Sequence, residues 1–331
     1  MPRDETVFPA SFPRKRESIP SRASCVHASA RVTARSSLAA GAWSIRFSAL
    51  LVSLLMIQGC AFISLDLGSI TQVQPFEERV LKPGSDDKVL VVEILGTVTT
   101  TAPRSAFVQR QGTVERVEAV LKMAQKDKKL KGLLLKIDSP GGSVTASDLV
   151  FKQIKAFRET KKIPVVACIT GQGTSGAYMV ALAADRIVAL PSAVVGNVGV
   201  ILPSISLEGL MDKLGIRNQT LTSGKLKDSG NPLRDMTDED KAILEGIVKE
   251  LQQNFVARVK EQRPVTPEDL RTIEDGRVMT STTGLKLHLI DQVGYYEDAL
   301  KTMEALSKTS DPTVVIYRRK GENAGGFYSW P

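Results

Sequence analysis

Ser175 lies in the stretch Gly171-Gln172-Gly173-Thr174-Ser175-Gly176-Ala177-Tyr178, between a β-branched apolar run at residues 163–169 and a small-residue apolar run at 179–184. Glycines on both sides let the backbone turn sharply and let another chain come close. A serine at such a junction has two readings. It is either a nucleophile presented at a helix start or an ordinary N-cap, a role in which serine excels. A second junction, Asp138-Ser139-Pro140-Gly141-Gly142-Ser143, closes another apolar run at 132–137. Adjacent glycines at a helix start leave N–H groups free, which suits an anion or a developing oxyanion. Pro-Gly-Gly is equally a common turn. A general base is harder to find, because the chain has only His27 and His288, and His27 falls in the N-terminal leader. A Ser-His-Asp site or a His-rich metal centre therefore has little to be built from. Lysine can replace histidine when burial disfavours its charged form, and Ser-Lys pairs are a known variant of the triad. With many lysines present, composition selects none of them.

These residues need a scaffold that gathers strand ends. Residues 88–96, 132–138 and 163–169 read as buried strands, and 114–129 and 143–160 have helical spacing. Shorter strands are expected at 186–190 and 194–202, and a helix at 207–214. Thr237 and Asp240 stand in capping-box positions before a long amphipathic helix that runs to about Gln262. Strand alternating with helix predicts an α/β domain with mostly parallel pairing. Ligands gather at the carboxyl ends of such strands, and both glycine-bearing junctions fall there.

The formal net charge of +8 is concentrated in the leader, where residues 1–46 carry eight Arg or Lys against three acids. A nucleic-acid partner is not indicated. Of the three cysteines, Cys25 is in the leader, Cys60 ends an apolar segment and Cys168 sits in an expected strand. No pair remains for a disulfide framework or a metal site, and Cys168 reads as a small core hydrophobe. Residues 47–57 form an apolar run of 11, too short to span a bilayer of ~30 Å as a helix. Following Arg46 and preceding Gln58-Gly59-Cys60, it reads as a signal-peptide core. Residues 1–59 are thus leader and signal peptide, with 1–40 reading as an extension upstream of the true start. Residues 60–87 read as a tether ending in Lys82-Pro83-Gly84-Ser85-Asp86-Asp87. Residues 88–308 form the main domain and 309–331 a C-terminal strand and tail, the last residues being a loose tail or an oligomer contact.

Several segments together carry a resemblance. Asp138-Ser139-Pro140-Gly141-Gly142, Thr174-Ser175-Gly176-Ala177-Tyr178 running into Ala183-Ala184-Asp185-Arg186-Ile187, and Gly196-Asn197-Val198-Gly199-Val200 resemble the signal peptide peptidase A group of peptidase family S49. Ser223 to Asp228 followed by Pro232-Leu233-Arg234-Asp235-Met236-Thr237 is similar to that family's lysine segment. Asp275-Gly276-Arg277-Val278 and Leu289-Ile290-Asp291-Gln292-Val293-Gly294 are similar to its closing segment, so the resemblance spans roughly residues 88–305 in family order. It implies a ClpP/crotonase-like spiral of ββα units, with no cofactor and no metal. It implies Ser175 as nucleophile, Lys227 rather than Lys225 as general base, and oxyanion-hole N–H groups on Gly142 and Gly176. Ile57-Gln58-Gly59-Cys60 resembles a lipobox, implying a lipidated Cys60 and a catalytic domain on the extracytoplasmic side of a bacterial envelope membrane. Peptide substrates follow, remnant signal peptides among them. So does a ring homo-oligomer whose serine and lysine come from neighbouring subunits.

The sequence departs from the family pattern at Ala177, Met179, Asn197 and His288. Asn197 stands where a lysine-orienting serine is usual, and its side-chain carbonyl can accept a hydrogen bond from an ammonium. His288 reads as a helix C-terminal residue. Two other functions share these features: a lipid-anchored ring scaffold whose dyad has decayed at Asn197, and a crotonase-like acyl-transfer enzyme. The secretory leader argues against the second, since acyl-CoA is cytoplasmic.

Overall fold

The computed structural model describes residues 74–101, 111–322 and 326–328. The expected leader, the lipobox and Cys60 lie outside the described residues. The strands are β1 (Phe76–Lys82), β2 (Ser85–Leu95), β3 (Leu130–Ser139), β4 (Val165–Thr174), β5 (Arg186–Ala189), β6 (Val194–Gly196), β7 (Val278–Thr280), β8 (Gln292–Val293) and β9 (Pro312–Arg319). The helices are α1 (Thr113–Ala124), α2 (Val144–Lys161), α3 (Gly176–Ala181), α4 (Glu208–Lys213), α5 (Asp238–Gln262), α6 (Pro267–Ile273), α7 (Ser281–Lys286) and α8 (Tyr296–Ser307). The strands join in the order β1-β9-β2-β3-β4-β5-β8, with β6 and β7 branching from β4. Every pair is parallel except β1 with β9 and β6 with β7.

The fold is α/β, as the alternation predicts. Each unit runs strand, short second rung, helix. β2 continues to Val98 before α1, and β3 continues to Gly142 before α2, the two rungs meeting in a parallel bridge. β4 does both jobs itself: Val166–Ile169 pairs with β5 and Gln172–Thr174 with β6. This is the ββα repeat expected of the spiral. The central strands are covered on both faces, which is why they read as unbroken apolar runs. Leu133, Leu134, Leu135 and Ile137 of β3 and Val165 to Ile169 of β4 are fully buried, each large side chain contributing about 1.5–3 kcal/mol by leaving water. Cys168 is one of them, and burial pushes its thiol up to about 12.

Four expectations need correction. Residues 76–87, assigned to a tether, form β1 and the start of β2, held by antiparallel pairing with β9 and by the Lys88–Glu78 ion pair at 2.8 Å. That partner lies more than 200 residues away, so no local pattern announces the strand. The strand expected to end at Ile169 runs on through the glycine-bearing stretch, so that residues 170–174 also belong to β4. The strand expected at 194–202 stops at Gly196, where Gly196 and Asn197 take φ of 86° and 51°, values that leave the strand region. The C-terminal tail is not loose at residue 327. Phe327 is buried and stacks on Tyr296 with ring centroids 4.0 Å apart. Among the described residues, no helix is long and apolar enough to cross a membrane.

Candidate active site

Ser175 occupies the N-cap position of α3 without capping it. Its side chain makes no cap hydrogen bond, and its backbone stands at φ 53°, ψ −128°. A non-glycine residue held there costs roughly 1–3 kcal/mol and persists only where the surroundings impose it. They do so here from both ends. Ser175 N–H donates to the Gly196 carbonyl at 2.9 Å, and the Met179 N–H donates to the Ser175 carbonyl at 3.0 Å. The half-buried hydroxyl therefore sits on a sharp strand-to-helix turn, free to react.

The turn after β3 packs directly on this corner. Gly141 has φ +95°, and a methyl placed on it would meet the Gly176 nitrogen at 2.6 Å and the Ser175 Cβ at 2.9 Å. Val98 receives the rung: its N–H donates to the Gly141 carbonyl at 2.9 Å, and its carbonyl accepts from the Ser143 N–H at 3.0 Å. In a parallel bridge, bonds from residues 141 and 143 leave the N–H of residue 142 facing the other way. Neither the Gly142 nor the Gly176 N–H donates to a described residue. The two are neighbours, since a Cβ on Gly176 would lie 3.3 Å from the Gly142 nitrogen and 2.1 Å from Ser147 Oγ. Ser147 is buried in α2 and donates to the Ser143 carbonyl at 3.0 Å. Two unpaired donors beside a strained serine make a pocket for negative charge.

A register shift aims β4 at this corner. Ile137 faces Ile169 but Ser139 faces Gly173, so β4 carries two extra residues. Asp138 absorbs them: its Oδ1 accepts the Gln172 N–H at 2.9 Å and would lie 2.4 Å from a methyl on Gly171. Asn197 follows the residue that grips Ser175. Its Nδ2 donates to the Gly276 carbonyl at 2.6 Å and its N–H to the Arg277 carbonyl at 2.8 Å, leaving Oδ1 without a described donor. Tyr178 anchors α3 from below, its buried hydroxyl donating to the Leu289 carbonyl at 2.7 Å.

Lys227 is not part of this constellation within one chain. It is exposed, and its amine bonds no described residue, Ser175 included. Lys225 differs. It is ion-paired with Glu239, which raises its pKa and holds it protonated. Both lysines ride on an arm in which Ile201, Ile205, Leu210, Leu214, Ile216 and Leu221 are each more than half exposed. His288 takes the helix-end position expected of it, at φ 58° after α7, with Leu289 N–H donating to the Gly284 carbonyl at 2.8 Å. Ser147 went unnoticed in the sequence, and Asp138 and Gly141 entered only as members of the Asp138 to Ser143 segment, with no role of their own. The Pro-Gly-Gly turn hinted at Gly141, but the β4 register that brings Asp138 in has no local signature.

The sequence pattern of peptidase family S49 matches residues 157–310. The chain is 41% identical over 203 residues to a proposed protease of Methanocaldococcus jannaschii, the match taking in 61% of this chain and 64% of that protein's length. It is 29% identical to a proposed signal peptide peptidase of Enterococcus faecium, covering 77% of this chain and 73% of that one. It is 31% identical to a proposed protease of Synechocystis sp., covering 66% and 74%. Among solved structures it is similar to a membrane-bound stomatin-specific protease at 16% identity and a TM-score of 0.43, covering 70% of this chain and 98% of that one.

Proposed function

The chain belongs to peptidase family S49, and from that premise we propose that it is a serine-lysine endopeptidase. It hydrolyses remnant signal peptides or other extended hydrophobic peptides at a membrane. Ser175 attacks the scissile carbonyl while the neutral amine of Lys227 takes its proton. The N–H groups of Gly142 and Gly176 hold the oxyanion, and water then releases the acyl group from Ser175. Asn197 offers Oδ1 to orient the lysine. The single observation that carries this reading is the pair of unpaired N–H groups beside a hydroxyl held at φ 53°.

The lysine reaches the serine from a neighbouring subunit of a ring. Support comes from the exposed apolar arm, which a second copy would cover, and from the exposed Lys227, whose amine makes no hydrogen bond to its own Ser175. Lipidated Cys60 anchors the assembly, with the catalytic domain on the extracytoplasmic side. The name of the Enterococcus relative supports the substrate class. The test is turnover of a signal-peptide or casein substrate by Ser175→Ala and Lys227→Ala, each expected to lose ~10² or more in rate. Native turnover by either variant would end this assignment.

A further inference from the structure

The loop that bears Lys227 has no core of its own. Of residues 199–254, Asp240 is the one that is buried. What fixes the loop is ionic. Arg234 donates through Nε and Nη2 to Asp228 Oδ2 and Oδ1, both at 2.9 Å, and through Nη1 to Asp240 Oδ2 at 2.6 Å. Ser229 Oγ donates to Asp240 Oδ1 at 2.5 Å, and Asp240 closes the capping box of α5 with Thr237. The far end of α5 reaches the core through Phe255, Val256 and Val259. A continuous path of fixed groups thus runs from the core along α5 to Asp240, Arg234 and Asp228, the neighbour of Lys227.

The same clamp has an electrostatic effect. A lysine beside an unpaired carboxylate stays protonated, and a protonated amine cannot accept the Ser175 proton. The other charges of residues 223–241 are engaged. Lys225 pairs with Glu239, and Lys241 pairs with Asp238. The Asp235 side chain accepts the Ser206 hydroxyl, while its N–H is held by Glu208 of α4 at 2.6 Å. Asp228 is engaged by Arg234, whose guanidinium holds its carboxyl below the usual range.

We propose that Arg234 is a positioning residue for Lys227, pinning its loop to the start of α5 and keeping the Asp228 carboxylate from pairing with that lysine. The proposal rests on the reading of Lys227 as the general base. A bidentate fork suits this task better than a point charge.

The test is the pH profile of kcat/KM for the full-length protein in detergent, on a signal-peptide substrate. Arg234→Gln frees Asp228, so the acid limb moves up by roughly one pH unit, about tenfold in rate on that limb. Adding Asp228→Asn to Arg234→Gln returns the limb to its native position, although the loop is still unclamped. A uniform loss of rate with the limb unmoved, or a double variant whose limb stays shifted, overturns the proposal. If Arg234→Gln fails to assemble, Arg234→Lys takes its place: the retained charge keeps the acid limb at its native position while loss of the fork quickens hydrogen exchange at residues 223–235, and unchanged exchange there overturns the proposal. Ser175→Ala and Lys227→Ala run alongside. Native turnover by those controls removes the base assignment. The clamp then stands or falls on hydrogen exchange at residues 223–235, which must quicken in Arg234→Gln.

Discussion

Gly141 lies against Ser175 with no room for a side chain: a methyl there would come within 2.9 Å of the serine Cβ and 2.6 Å of the Gly176 nitrogen. At φ +95° the position also disfavours any residue with a Cβ. Gly141→Ala is therefore expected to fold but to displace one oxyanion donor, lowering kcat/KM by roughly 10². Slower labelling of Ser175 by a serine-reactive phosphonate, with an unchanged circular dichroism spectrum, is the measurement. Native labelling rates would contradict the packing argument.

Lys225 and Lys227 separate cleanly by their partners. Lys225 is already neutralised by Glu239 on the surface. An exposed, solvent-screened pair contributes little, so Lys225→Met should keep turnover within about fivefold of native. Lys227→Met should not. Comparing initial rates of the two variants decides whether the choice between them is right.

Backbone strain at Ser175 gives a stability prediction. Ser175→Ala keeps a Cβ at φ 53°, whereas Ser175→Gly relieves it. The strain is worth roughly 1–3 kcal/mol, against about 0.5–1 kcal/mol for the extra freedom of glycine in the unfolded chain. Both variants are inactive, and Ser175→Gly should melt at the higher temperature. Thermal unfolding of the two, in the same detergent, checks the sign.

Tyr178 ties α3 to the turn before β8. Tyr178→Phe leaves the Leu289 carbonyl buried without its donor, at a cost of about 1–3 kcal/mol. Phenylalanine fills the same space, so the lower Tm expected of this variant reports the lost hydrogen bond rather than a cavity.

Acid should loosen the region beneath α7. The Thr266 backbone N–H, and then the His288 ring, hold the Asp269 carboxyl below its usual range. A carboxylate depressed in the folded state contributes stability above its unfolded pKa and loses it as pH falls through the folded value. Between about pH 5 and that lower value, the native protein should lose Tm faster than Asp269→Asn. Parallel melting curves of the two proteins would contradict this assignment.

Much of this architecture was legible in the chain. β3 and the first half of β4 announce themselves because a strand covered on both faces is apolar throughout, and Thr237 with Asp240 marks the start of α5 by capping chemistry alone. β1 was illegible because its strand character comes from β9, not from Phe76-Glu77-Glu78-Arg79 itself. Ser175 could be singled out from its glycines. Whether its hydroxyl caps or stands free could not, since that depends on the Gly196 carbonyl holding its N–H from another strand. Arg234 was visible only as one residue of the Pro232 to Thr237 segment, and its ionic role gave no signal. Its partners lie six residues to either side, a spacing that belongs to no periodic element.

β4 carries a consequence for how this protein can change over generations. Residues 165–169 are core, and six positions after Ile169 comes Ser175, on the same unbroken run. A substitution that resizes the core at Val166 or Ile169 shifts the strand on which the serine is mounted, so selection for stability and selection for turnover act on the same residues. Residues 201–221 of the arm are under no such joint constraint, since Ile201, Ile205, Leu210, Leu214, Ile216 and Leu221 are each more than half exposed. Divergent copies should therefore differ most along residues 201–221 and least along 165–176, and the arm is where new assembly preferences can arise without disturbing the fold.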